Sequence, residues 1–112
     1  MSSATISQAN ELIWELLEAL EDAYWEASTC EDKDCNFNML QVLTAEYMEL
    51  LKVSVQDHHY EYEVISTSQD AMNQALAEYQ QFTTNYPHRL RTQQRLRRLL
   101  SQFSSMVTPS GQ

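Results

Sequence analysis

Near the start of the chain, apolar residues return at alternating intervals of three and four: Ile6, Ala9, Ile13, Leu16, Leu20, Ala23 and Ala27, with Leu12, Leu17 and Tyr24 widening the band. That period predicts an amphipathic helix whose apolar side must be buried against other elements. Glu11, Glu15, Glu18, Glu21 and Asp22 hold the opposite side. Trp14 and Trp25 also fall outside the seam, and two large aromatics there point to a second contact surface. Thr5 with Gln8 has the form of a capping box that starts the helix, with Ser7 as a competing cap.

The helix is expected to end near Ser28 or Thr29, where the stretch CEDKDCN breaks the period and reads as a loop. Asn36 or Asn38 then caps a second helix, with Phe37, Leu40, Tyr47, Met48, Leu51 and Val55 on one side and Leu43 and Leu50 beside them. Its end has two readings. His58, Tyr62 and Ile65 extend the same face as far as Ser66, which makes one long helix. Tyr60, Tyr62 and Val64, like Val53 and Val55, alternate with polar neighbours, which makes a hairpin near 52–65. Gln56-Asp57-His58-His59 lacks the Asn-Gly, Asp-Gly or Gly-X pair of a tight hairpin, which favours the helix.

Ser66, Thr67 and Ser68, with Asp70 three residues after Thr67, predict the start of a third helix. Its stripe is Met72, Ala75, Leu76, Tyr79 and Phe82, and Thr83-Thr84-Asn85 ends it. Pro87 suits the first turn of a fourth helix, where its missing N–H costs nothing. Leu96, Leu99, Leu100, Phe103, Met106 and Val107 form the apolar side of that helix, and Arg91, Arg95 and Arg98 run along another.

Helical faces in this order predict an all-α fold, an antiparallel bundle of about four helices that a second copy is able to complete. The alternative is an α+β fold with the hairpin near 52–65. Glycine and proline support the long helices, because no residue before Pro87 is either one. A chain of 112 residues suffices for one core. Residues 1–108 are expected to form a single helical domain and 109–112 a flexible tail.

Charge divides the chain. All 16 acidic residues lie between Glu11 and Glu78, whereas Arg89, Arg91, Arg95, Arg97 and Arg98 supply five of the seven basic ones. The net charge of −9 disfavours anionic lipid and nucleic acid and attracts cationic partners. No apolar run approaches spanning length, and the N-terminus lacks the pattern of a secretory signal, so a cytoplasmic location without membrane contact is expected. Cys30 and Cys35 are too few for a disulfide framework and are expected as free thiols.

Candidate chemistry is sparse. His58 and His59 with Asp57, Glu61 and Glu63 are the densest set of metal-ligand types, and on a helix His59 and Glu63, or Asp57 and Glu61, would stand one turn apart. A di-iron bundle needs Glu-x-x-His, which is absent. Asp32, Asp34 and Asn36 begin a calcium-loop pattern that fails at Phe37 and Leu43. Phosphate-loop, nucleophile-elbow and zinc-protease motifs are missing, so neither catalysis nor a cofactor is expected.

These features predict a non-enzymatic protein-interaction module of adaptor, chaperone-like or regulatory type, itself a homodimer. Its expected partner-binding residues are Trp14, Glu18, Asp22, Trp25, Tyr60, Arg91, Arg95 and Arg98. The alternative is a nucleic-acid-associated regulator that uses the arginines of 89–98, since Arg and Gln on one helix are the side chains that read guanine and adenine in a major groove.

Overall fold

A computed structural model describes residues 4–83 and 89–107 of the chain. It contains α1 (Ile6–Glu26), α2 (Cys30–Leu51), a short 3-10 turn (Val55–Asp57), α3 (Gln69–Thr83) and α4 (Leu90–Val107). The fold is all-α and bundle-like. α1 packs against α2 and α4, α2 against α3, and α3 against α4, which closes a ring of four helices.

Neighbours run antiparallel, as the contacts along each pair show. Trp14 meets Tyr47 while Tyr24 meets Phe37. At the other side of the ring, Glu18 meets Arg95 while Glu26 meets Thr92. The core joins Ile13, Leu16 and Leu20 of α1, Leu43 and Leu50 of α2, Met72 and Leu76 of α3, and Leu99 and Phe103 of α4. One chain therefore supplies every wall around this core.

α1 begins as its sequence predicts. Thr5 Oγ1 accepts from the Gln8 N–H and the Gln8 side chain accepts from the Thr5 N–H, the two bonds of a capping box. The free N–H groups of Ile6 and Ser7 are taken by the carbonyls of Tyr60 and His58 at 2.9 and 3.1 Å, so the first turn is satisfied by a distant segment.

α2 departs from expectation at both ends. It starts at Cys30, capped by Thr29, whose Oγ1 accepts from the Asp32 N–H at 3.1 Å. The polar stretch CEDKDCN is thus helical. Glu31 and Asp32 lie in the first turn, where the helix dipole favours negative charge. α2 stops at Leu51, and neither the long helix to Ser66 nor the hairpin near 52–65 forms. Val53 is β-branched, and Ser54 turns its hydroxyl to the Gln56 N–H, a local bond that competes with helix continuation.

Residues 52–68 instead cross the bundle as an irregular strap. It pairs with the start of α1 at the isolated antiparallel bridge between Thr5 and Glu61, and the Tyr62 N–H donates to the Ala4 carbonyl at 2.8 Å. α3 then starts one residue later than predicted, with the Ser68 hydroxyl rather than that of Thr67 accepting from Ala71. α4 starts at Leu90, and Pro87, Thr84, Asn85 and the tail 109–112 lie outside the described residues.

Candidate functional site

The face that α2 buries is not its most apolar one. Asp32, Asn36, Met39, Leu43, Glu46 and Leu50 point inward, so half of this seam is polar. Each polar group is matched. Glu46, fully buried, accepts from the Tyr62 hydroxyl at 2.7 Å, the Ile65 and Ser66 N–H groups at 3.0 and 2.8 Å, and the Ser66 hydroxyl at 2.6 Å. Asn36 donates to the Asp32 carboxylate at 2.9 Å and accepts from the Tyr79 hydroxyl of α3. A buried polar group costs little only when its bonds are made, and here they tie α2 to the strap and to α3.

These two networks shift the groups inside them. Burial, then the hydrogen bond and charge of Glu46, hold the Tyr62 phenol above the usual tyrosine range. Burial and the nearby Cys35 and Asp32 do the same for Tyr79. The Cys35 thiol is pushed up to about 11 by burial and by Asp32. A thiol so protonated is a poor nucleophile, and both cysteines are free.

Turning the polar seam inward leaves apolar side chains of α2 outside. Phe37, Met48 and Leu51, expected in the core, are exposed, and so is Val55 in the strap. The alternation of four and three that runs through Asp32, Asn36, Met39, Leu43, Glu46 and Leu50 is visible in the sequence. It is missed when hydrophobicity alone marks a buried face.

The exposed apolar side chains of α2 adjoin those of α1. Trp14 and Trp25 are 51% and 71% exposed. Eleven residues apart on a helix, they share one side, separated by about three turns or ~16 Å. Trp14 packs on Tyr47 of α2 with ring centroids 5.6 Å apart. Trp25 stands edge-on to Tyr24 at 5.2 Å, Tyr24 faces Phe37 at 6.4 Å, and the Lys33 amine lies 4.7 Å from the Tyr24 ring. The result is an aromatic seam along the outer side of the α1/α2 pair.

Around Trp14 the seam sinks into an open recess of about 410 Å³ lined by Asn10, Glu11, Trp14, Glu15 and Tyr47. Asn10 Oδ1 is buried there without a hydrogen-bond partner. Glu11 and Glu15 are exposed and make no ion pair among the described residues.

Other expected site residues go elsewhere. Glu18 and Asp22 face α4, where Arg95 reaches them at 3.1 and 4.0 Å. Glu26 accepts from the Arg89 N–H and from the Thr92 hydroxyl at 3.3 and 2.7 Å, which caps α4 from a neighbouring helix. Arg91 and Arg98 are exposed on α4 without ion pairs among the described residues. Tyr60 is exposed in the strap and stacks on His59 at 4.4 Å, beside the first turn of α1 and away from Trp25.

His58, His59, Glu61 and Glu63 lie in the strap rather than on a helix, so the one-turn spacing that would pair them as ligands does not arise. Among the described residues no group of three or more His, Cys, Asp and Glu is placed to hold a metal ion. No helix among them is long and apolar enough to cross a membrane.

The fold and this surface define a small antiparallel four-helix bundle with an aromatic seam beside free carboxylates. No family model, curated protein or solved structure matches the chain.

Proposed function

We propose that the protein is a non-enzymatic interaction module of the cytoplasm, an adaptor, chaperone-like or regulatory protein that holds a cationic, amphipathic segment of another protein against the α1/α2 seam. The observation that carries this reading is the pair Trp14 and Trp25, aligned on one side of α1 and exposed, with Glu11 and Glu15 beside the first of them. Large aromatics bury much area with few rotatable bonds, and they dominate the energetics of protein interfaces. A row of carboxylates beside them selects basic partners and speeds their arrival.

The same seam is less suited to a second copy. Two chains of net charge −9 placed seam to seam would bring like carboxylates together. The exposed Met48 and Leu51 of α2 continue the side on which Phe37 lies, so a homodimer built on them would compete with a partner for the seam.

Selection of a random-peptide library on the immobilised protein tests the proposal. Recovered peptides should combine Lys or Arg with apolar residues at helical spacing, and recovery should vanish with Trp14→Ala/Trp25→Ala. Acidic or featureless peptides, or recovery indifferent to both tryptophans, contradict it. A second reading rests on Arg91, Arg97 and Arg98, exposed on α4 without ion pairs among the described residues. Their replacement by Ala should then abolish a salt-dependent affinity for nucleic acid.

A further inference from the structure

We infer that the recess at Trp14 is the subsite for one arginine side chain of the partner, an inference that rests on the module reading above and adds the residue it recognises. Three features of the recess converge on a guanidinium. Trp14 and Tyr47 join into one aromatic wall, with ring centroids 5.6 Å apart and planes tilted by 35°. Such a wall attracts a flat cation through the ring quadrupoles, and a guanidinium stacks on it where an ammonium cannot.

Glu11 and Glu15 border the wall, and no cation among the described residues neutralises them. Glu18 and Asp22, further along the same acidic stripe of α1, are held by Arg95, whereas Glu11 and Glu15 make no ion pair among the described residues. A carboxylate takes a guanidinium through two parallel N–H bonds, a geometry that an ammonium does not match.

Asn10 adds an acceptor. Asn10 lines the recess and its Oδ1 is buried without a hydrogen-bond partner, so an amide turned toward the opening would offer an acceptor to a guanidinium N–H that the carboxylates leave over. An unmade bond at a buried acceptor is costly, and a bound donor removes that cost. Two carboxylates and one amide oxygen are too few and too open for a metal ion, in keeping with the absence of any metal-type cluster among the described residues.

The test uses three matched helical peptides of about 15 residues, long enough to run the ~16 Å between the tryptophans. They carry an apolar face and a single central position that is arginine, lysine or citrulline, and no other charge. Binding is followed by the Trp14 fluorescence of the full chain carrying Trp25→Phe. The arginine peptide should bind about tenfold more tightly than the citrulline peptide, which keeps the shape and loses the charge, and several-fold more tightly than the lysine peptide. Glu11→Gln/Glu15→Gln should erase the preference while the citrulline affinity stays unchanged, and circular dichroism should show the fold intact.

Equal affinity for all three peptides, still dependent on Trp14, overturns the arginine subsite and leaves the module standing. Absence of binding by every peptide, together with a library selection that fails, overturns both. Concentration-dependent self-association lost in Arg91→Ala/Arg98→Ala places an arginine of a second copy in the recess and overturns the assignment to a partner.

Discussion

Glu46 of α2 and Tyr62 of the strap meet inside the bundle, the tyrosine hydroxyl donating to the carboxylate at 2.7 Å. The same carboxylate takes the Ile65 and Ser66 N–H groups, so one buried side chain holds a crossing segment that has no regular structure of its own. Removing it strands several donors at once. Glu46→Ala is expected to cost about 3 kcal/mol or more, because each orphaned buried donor costs about 1–3 kcal/mol. Tyr62→Phe should cost about 1–2 kcal/mol, leaving the carboxylate its backbone partners. In urea unfolding the double variant should lose clearly less than the sum of the two single losses, the sub-additivity of partners in one network.

Alkaline titration provides a second check. The folded state holds the phenols of Tyr62 and Tyr79 above the usual range, so it binds those protons more tightly than the unfolded chain does. Their contribution to stability is therefore complete below about pH 10, where a free tyrosine ionises, and is lost as pH rises beyond it. Absorbance at the tyrosinate band should therefore show two of the six tyrosines silent until the protein unfolds. Smooth ionisation of all six in a folded chain would contradict the buried networks.

The thiols should differ in the same sense. Cys30 is exposed, whereas Cys35 is partly buried with its thiol pushed up to about 11. At pH 8 an alkylating reagent should modify Cys30 well before Cys35, and mass spectrometry after partial reaction reads the order directly. Faster modification of Cys35 would mean that α2 does not start where Thr29 caps it.

Charges on α4 should sort by their partners. Arg95→Ala removes a partly exposed pair with Glu18 and is expected to cost no more than about 1 kcal/mol. Glu26→Ala removes a cap that serves Arg89 and Thr92 and should cost about 1–2 kcal/mol. Arg91→Ala and Arg98→Ala should leave the melting temperature unchanged. A large loss from either arginine would place it in a contact that these distances do not include.

Helix periodicity made most of this fold legible. The α1 seam and its capping box, the Met72, Leu76 and Tyr79 stripe of α3 and the Leu96 to Val107 face of α4 are where their spacing puts them. α2 departs from its apolar pattern for one physical reason: on this helix polarity does not mean exposure. CEDKDCN is polar yet helical because Thr29 caps it and Asn36 finds Tyr79 inside. Phe37 and Met48 are apolar yet outside because Glu46 and Asn36 hold the inner seam. The partners that make this possible come from the strap and α3, far along the chain, and no local pattern announces them. Of the candidate site, the exposure of Trp14 and Trp25 was legible from their place off the seam, while Tyr47, Asn10 and the division of the acids between Arg95 and open solvent required the packing of α1 on its neighbours.

The seam also sets an expectation for stability. Trp25→Ala, at the more exposed position, should change unfolding free energy by no more than about 1 kcal/mol, and Trp14→Ala, which also loses the Tyr47 ring contact, by about 1–2 kcal/mol. Phe103→Ala, in the fully buried core, should cost about 3–5 kcal/mol. Thermal or urea unfolding separates the two classes.

The most direct test of the central claim is heteronuclear NMR of the nitrogen-labelled chain titrated with a peptide recovered from the random library. The account predicts that the indole N–H signals of Trp14 and Trp25 and the amides of Phe37 and Tyr47 shift together, while the amides of Arg91 and Arg98 stay in place. Shifts confined to α4, with both indoles unmoved, would contradict it.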